Sequence, residues 1–233
     1  MESFQDRRDA GQELAERLRS LADEHPVVVA LPRGGVPVAT EIATALGAPL
    51  EILVVRKLGA PHNPEYGIGA VAEEGTLVVD AEAVAGLGLN GGKLESIIAD
   101  EVAELRRRVA AYRGDRPRLE MKGRTVIVVD DGIATGVTDT AALRAVRKLE
   151  PRRVVLAVPV SSHDALARLE GEADEVVCLR PSELLRGVGG WYEDFSQVPD
   201  EDVVAALRAH GDGGLRRPAS NRSEPAADPV PGG

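Results

Sequence analysis

Four short runs limit the folds open to this chain: Val27–Leu31 (VVVAL), Leu50–Val55 (LEILVV), Thr125–Asp130 (TVIVVD) and Val154–Val160 (VVLAVPV). None shows the apolar–polar alternation of a strand with one wet face. Each must therefore be covered on both sides, as in a parallel sheet. Segments with helical periodicity lie between or after them: Val36–Leu46, Thr138–Leu149 and His163–Glu170, followed by a last strand at Glu175–Leu179. Strand and helix in alternation predict right-handed βαβ crossovers and an α/β fold with a mostly parallel sheet flanked by helices. An amphipathic helix over Asp6–Glu24, with Leu14, Leu18 and Leu21 on one face, precedes them and stops before Pro26. No repeat with a period of 20–50 residues is present.

The pattern breaks between Arg56 and Gly123. This stretch holds a possible strand pair through Val79, a glycine-rich patch at Gly86–Gly92 and a long helix near Lys93–Tyr112. A connection of that length is expected to be an inserted α+β subdomain, about residues 57–123, within one α/β domain over 1–210. Residues 211–233 hold nine Gly or Pro with one Leu and one Val, and a disordered tail is expected there.

Charge and composition exclude several classes. The 233 residues carry 28 basic and 38 acidic side chains, a net charge of −10, which argues against a whole-surface polyanion binder. Arg106–Arg124 is the exception, with eight basic and two acidic residues. It reads as a solvated helix face, with a dimer contact or an RNA patch as sharper alternatives; interleaved aromatics for RNA are missing. One cysteine, Cys178, excludes an intramolecular disulfide framework, and it reads as inert core. No apolar run nears the roughly 20 residues of a membrane span, and no signal-peptide pattern opens the chain. A cytoplasmic protein with no membrane partner is expected.

The strongest chemical signal is Val126–Thr138, VIVVDDGIATGVT. A buried strand ends in adjacent carboxylates, Asp130 and Asp131, and a short turn then opens a helix. Backbone amides of Ala134, Thr135, Gly136, Val137 and Thr138, with the helix dipole behind them, make a phosphate cradle. The carboxylates are acceptors, suited to a sugar diol or a hydrated Mg²⁺. Phosphate on one side and diol acceptors on the other describe a site for a ribose 5-phosphate. A capped helix beside two surface aspartates is the structural alternative. After the first strand comes Pro32-Arg33-Gly34-Gly35, where two glycines, a helix start and a cation form a second, weaker anion signal.

VIVVDDGIATGVT resembles the 5-phosphoribosyl-1-pyrophosphate (PRPP) motif of type I phosphoribosyltransferases. The resemblance implies Asp130 and Asp131 on the ribose hydroxyls and on Mg²⁺ through water, with Ala134–Thr138 on the 5-phosphate. PRGG is similar to the family's pyrophosphate loop, which implies Arg33, Gly34 and Gly35 for that group. The family also carries a mobile loop after its second core strand. Arg56–Gly69, with Arg56 and Lys57 facing the leaving pyrophosphate, is expected to be that loop. A hood over about 180–200 is expected to hold the acceptor, with Trp191, Tyr192 and Ile133 as its contacts.

The resemblance thus implies a Mg²⁺-dependent transferase passing the phosphoribosyl group of PRPP to a nitrogenous small molecule, as a homodimer. The rival expectation is a non-catalytic PRPP sensor whose basic stretch contacts RNA or a protein. Transfer to a lipid phosphate is a weaker third, since no membrane-binding segment is evident. Members acting on 6-oxopurines carry Asp where this chain has Ala134, so the acceptor stays open. Other signals carry no chemistry. Gly86–Gly91 fits GxGxxG outside a first βαβ unit, no P-loop or GxSxG elbow occurs, and the four histidines lack ligand spacing.

Overall fold

A computed structural model describes residues 3–185 and 187–210. The tail expected at 211–233 lies outside the described residues. Helix α1 (Arg7–Leu18) is capped by the Asp6 carboxylate and passes into a 3-10 turn, Arg19–Glu24. The single helix expected over Asp6–Glu24 is thus two pieces. The turn ends at His25, whose φ of 49° reverses the chain ahead of Pro26.

Five parallel strands form the central sheet: β1 (Val27–Ala30), β2 (Leu50–Ile52) and, beyond the insertion, β6 (Thr125–Val129), β7 (Arg153–Ser162) and β8 (Glu175–Ser182). Their spatial order is β2-β1-β6-β7-β8. Every residue of β1, β2 and β6 is buried, including the polar Glu51 and Thr125, which are hydrogen-bonded to Arg113 and Glu24. Helices α1, α2 (Gly35–Leu46) and α7 (Asp200–His210) help cover one face, and α5 (Val137–Arg147) and α6 (His163–Leu169) help cover the other. Gly11 lets α1 approach α2, because a Cβ there would stand 2.7 Å from the Val38 carbonyl.

The strand order reverses between β1 and β6, which pair in register from Val27↔Val126 to Ala30↔Val129. β1 leads outward to β2, and β6 leads the other way to β7. At such a switch point the loops leaving the two strands diverge to opposite faces and open a crevice at their carboxyl ends. The loops there are Leu31–Gly34 and Asp130–Gly136.

Residues 55–113 build the inserted part. Strands β3 (Val55–Ala60), β4 (Asn63–Ala72) and β5 (Thr76–Val79) form an antiparallel sheet against α5, followed by α3 (Ala81–Gly86) and the long α4 (Gly91–Arg113). Where a loop was expected over Arg56–Gly69 the chain forms a β-hairpin: Arg56 and Lys57 sit in β3, paired with Val71 and Ala70 of β4. The Gly-rich patch is the end of α3 and the start of α4, which Asn90 caps.

Half of the basic stretch is tied down inside the molecule. Arg113, at 9% side-chain exposure, donates to Glu73 at 2.9 Å, to Glu51 at 3.3 Å and to the Ile52 carbonyl at 3.0 Å. Arg118 pairs with Glu73 and Glu74. Arg116 donates to the Leu207 carbonyl at 3.0 Å and Arg124 to that of His25 at 3.0 Å. These four cations lock the end of α4 and residues 114–124 onto the rest of the domain, while Arg106 and Arg107 lie on the exposed face of α4.

Candidate functional site

The Asp130–Thr138 loop is held open by its neighbour β7. Ile133 donates its amide to the Val160 carbonyl at 2.9 Å and accepts from the Ser162 amide at 3.1 Å. The Ser162 hydroxyl donates to the Ala134 carbonyl at 2.8 Å. This clip fixes the turn without using the amides that follow it. Among the described residues, the amides of Ala134, Thr135, Gly136, Val137 and Thr138 donate to no protein acceptor. Gly136 takes φ +77°, a left-handed conformation that turns the chain into α5. A run of unpartnered donors at a helix N-terminus forms a preorganised anion site.

The loop after β1 comes directly against the acid pair. A Cβ on Gly34 would stand 2.0 Å from Asp131 Oδ2, and one on Gly35 would stand 2.6 Å from the Val129 carbonyl. Only glycines permit that approach. The peptide bond joining Pro32 and Arg33 is cis. The Gly35 and Val36 amides turn back onto the carbonyls of Leu31 and Arg33, at 3.0 and 3.1 Å. The helix start therefore offers fewer free donors than expected, leaving the Arg33 and Gly34 amides and the Arg33 side chain. That side chain lies 3.5 Å from Asp200, which also accepts from Tyr112 at 2.7 Å.

Asp130, Asp131 and Asp139 lie close enough to feel one another's charge. Burial pushes the Asp130 carboxyl well up, and the like charges of Asp131 and Asp139 push further. Burial also raises Asp131, opposed by the guanidinium of Arg7, whose Nε lies 2.7 Å from Asp131 Oδ2. Asp139, in the first turn of α5, is 2% exposed and its Oδ1 has no partner. Burial raises its carboxyl to about 7. The Thr138 hydroxyl donates to its other oxygen at 3.3 Å.

The segment around 191–195 is joined to the chain's beginning. Phe4 pairs with Tyr192, its amide reaching the Trp191 carbonyl at 2.8 Å. The rings of Phe4, Tyr192 and Phe195 form a row with centroid separations of 5.4 and 5.1 Å. Tyr192 is 6% exposed, and its hydroxyl donates to the Asp131 carbonyl at 2.6 Å. Burial raises that hydroxyl's pKa, so it stays protonated and acts as a strut.

The expected residues thus divide. Arg33, Gly34, Gly35, Asp130, Asp131 and the Ala134–Thr138 amides converge at the switch point. Trp191 is half-buried beside the aromatic row. Ile133 is 1% exposed and packs into the core beneath the loop, so its side chain is closed to an acceptor. Arg56 is paired with Glu101 of α4 at 2.7 Å. Two site residues escaped the sequence reading, Arg7 and Asp139. Arg7 lies 124 positions from Asp131 with no local motif, whereas Asp139 directly follows the recognised run, in the first turn of α5, and could have been flagged from that position.

An α/β sheet with an anion cradle and acid pair at its switch point defines a nucleotide- or sugar-phosphate-binding class. A family model described as "Phosphoribosyl transferase domain" matches residues 2–187, and the chain belongs to that family. It is 47% identical over 213 residues to "Putative phosphoribosyl transferase Rv0571c" of Mycobacterium tuberculosis (strain ATCC 25618 / H37Rv), covering 91% of this chain and 48% of that protein. A second sequence, MT0597 from strain CDC 1551 / Oshkosh, matches with the same figures. The chain spans about half the length of these curated relatives. The crystal structure of TT1426 from Thermus thermophilus is 48% identical, with a TM-score of 0.75, covering 90% of this chain and 99% of that one. Among the described residues no helix is long and apolar enough to cross a membrane.

Proposed function

We propose that this protein transfers the 5-phosphoribosyl group of PRPP to a nitrogen of a small acceptor, releasing pyrophosphate. The observation that carries the reading is the row of unpartnered amides from Ala134 to Thr138 beside the acids Asp130 and Asp131, with Gly34 pressed against the second acid. In this reading the amides and the Thr135 and Thr138 hydroxyls bind the 5-phosphate. Asp130 and Asp131 accept hydrogen bonds from the ribose hydroxyls, and Arg33 with the Arg33 and Gly34 amides receives the pyrophosphate. The C1–oxygen bond breaks, its electron pair leaving with pyrophosphate. The acceptor nitrogen supplies the pair for the new C1–N bond and loses its proton to solvent or to the departing group. The protein's contribution is position and preorganised charge.

A divalent cation fits this donor set. The two carboxylates are hard oxygen donors, and a cation would offset the repulsion and burial that raise both. Among the described residues no three metal-ligating side chains converge. Water and substrate oxygens would supply most of the ligands, as is usual for Mg²⁺. When bound, Mg²⁺ neutralises charge developing on pyrophosphate.

Titration of the full chain with Mg-PRPP, followed by an assay for pyrophosphate release with a panel of heterocycles, tests the reading. PRPP at 100 times its dissociation constant should add about 2.7 kcal/mol to stability. Asp131→Asn should weaken that binding; equal affinity would refute the site assignment. Binding without pyrophosphate release from any acceptor favours a PRPP sensor instead.

A further inference from the structure

The cation assigned to the departing pyrophosphate, Arg33, already has a partner. Its Nη1 lies 3.5 Å from Oδ1 of Asp200, the residue that opens α7. Among the described residues this is its one ion pair. The contact is long and the two side chains are 28% and 48% exposed, so the pair is weak enough to break. The same Oδ1 accepts the hydroxyl of Tyr112, from α4, at 2.7 Å. Burial raises the pKa of that hydroxyl and the bond to Asp200 raises it further, so the donor keeps its proton. The neighbouring cations of α4, Arg107 and Arg108, are both paired with Glu104. Asp200 is thus the resting counter-ion of Arg33, tied to the inserted helix rather than to the loop.

A carboxylate placed there has a defined effect on an anion. Pyrophosphate that reaches Arg33 must take the guanidinium from Asp200 or share it, and Asp200 adds a like charge behind it. Giving up Arg33 costs Asp200 little, because it keeps the Tyr112 donor and water reaches its exposed side. We propose that Asp200 is a positioning residue that acts through Arg33, holding the guanidinium between turnovers and weakening its grip on pyrophosphate. This rests on the phosphoribosyl transfer reading above, in which Arg33 with the Arg33 and Gly34 amides receives that group. The ribose 5-phosphate half of PRPP lies instead on the Ala134–Thr138 amides and on Asp130 and Asp131. Asp200 therefore tunes one half of the substrate and not the other, and a looser hold lets the released product leave. Tyr112 gives the inserted subdomain a part in this, since its hydroxyl sets where the carboxylate stands.

Calorimetry on the full chain with Mg²⁺ present tests this, with pyrophosphate and ribose 5-phosphate titrated separately. Asp200→Asn keeps the shape and an acceptor for Tyr112 while removing the charge. It should tighten pyrophosphate binding by roughly threefold to fivefold, the scale of one partly exposed ion pair, and leave ribose 5-phosphate unchanged. Damage to the fold weakens ligands and does not tighten one of them, so the sign separates positioning from a structural role. Adding Asp200→Asn to an Arg33→Ala background should remove most of that gain, because the effect passes through the guanidinium. Unchanged or weaker pyrophosphate binding in Asp200→Asn overturns the inference and leaves phosphoribosyl transfer standing. So does a gain that survives intact without Arg33, or one that extends to ribose 5-phosphate. A wild type that binds ribose 5-phosphate but no pyrophosphate overturns both together.

Discussion

Replacing Asp139 by Asn removes a carboxylate that the fold holds against its own charge. The side chain is 2% exposed, its Oδ1 has no partner, and burial lifts its pKa from 3.8 to about 7. A raised carboxyl means that the folded state binds the proton more tightly than the unfolded one. Stability from this group is therefore complete below about pH 4 and falls as pH rises toward 7, then stays level. The shift from 3.8 to about 7 spans roughly three units, worth about 4 kcal/mol at 1.36 kcal/mol per unit. Asn has the shape of the protonated acid and cannot ionise. At pH 4.5, then, Asp139→Asn and the wild type should differ by about 1 kcal/mol or less, the scale of one altered hydrogen bond. At pH 8.5 the variant should be the more stable by about 3–4 kcal/mol. Asp130 and Asp131 are also raised and impose a decline shared by both proteins, so the quantity to read is the difference between the two profiles. Urea unfolding at half-unit pH intervals supplies it. Parallel profiles from pH 4.5 to 8.5 would refute the claim that Asp139 is a stored, destabilising acid.

Arg113→Ala leaves Glu51 and Glu73, at 0% and 6% exposure, short of their main cation. It should cost about 3–5 kcal/mol in urea unfolding; a loss under 1 kcal/mol would show that water reaches the pair. Gly34→Ala drives a methyl to within 2.0 Å of Asp131 Oδ2, so PRPP affinity measured by calorimetry should fall more than tenfold while the far-ultraviolet circular dichroism is retained. Equal affinity would mean that the loop and the acid can part without cost. Burial raises the Cys178 thiol to about 11. Iodoacetamide at pH 8 should therefore alkylate the native protein far more slowly than the same chain in urea, and equal rates would contradict the burial.

The central sheet was legible because a strand covered on both faces is built mainly from apolar residues: β1 is a continuous apolar run, β6 is one from Val126 onward, and both were readable at sight. The cradle was legible because its parts are contiguous, strand, acids, turn and helix following one another within Val126–Thr138. The strands of the β3–β4 hairpin were expected to be loop for a physical reason. Their glycines suggest flexibility, yet they mark close backbone approach: a Cβ on Gly59 would meet the Pro64 carbonyl at 2.7 Å, and one on Gly69 the Val78 carbonyl at 2.3 Å. Local composition cannot separate those two uses of glycine. The solvated helix face expected for the basic stretch describes Arg106 and Arg107 on α4, but not Arg113 and Arg118, whose partners Glu51 and Glu73 lie far upstream and could not be read locally.

The same distinction governs the site. A contiguous motif can fix where the oxygens of Asp130 and Asp131 lie, because strand and turn geometry are local. It cannot fix their charge, which depends on what the fold brings from elsewhere. Arg7 comes from the first helix, and Tyr192 reaches the Asp131 carbonyl from beyond the last strand. Phe4 pairs with Tyr192 and Arg7 stacks on Phe195, so the first and last parts of the domain close over the acid pair as one unit. A perturbation of either part should therefore reach Asp131 through Arg7 or Tyr192. Asp131 is thus the point at which the first helix and the segment beyond the last strand meet, through Arg7 on its carboxylate and Tyr192 on its carbonyl.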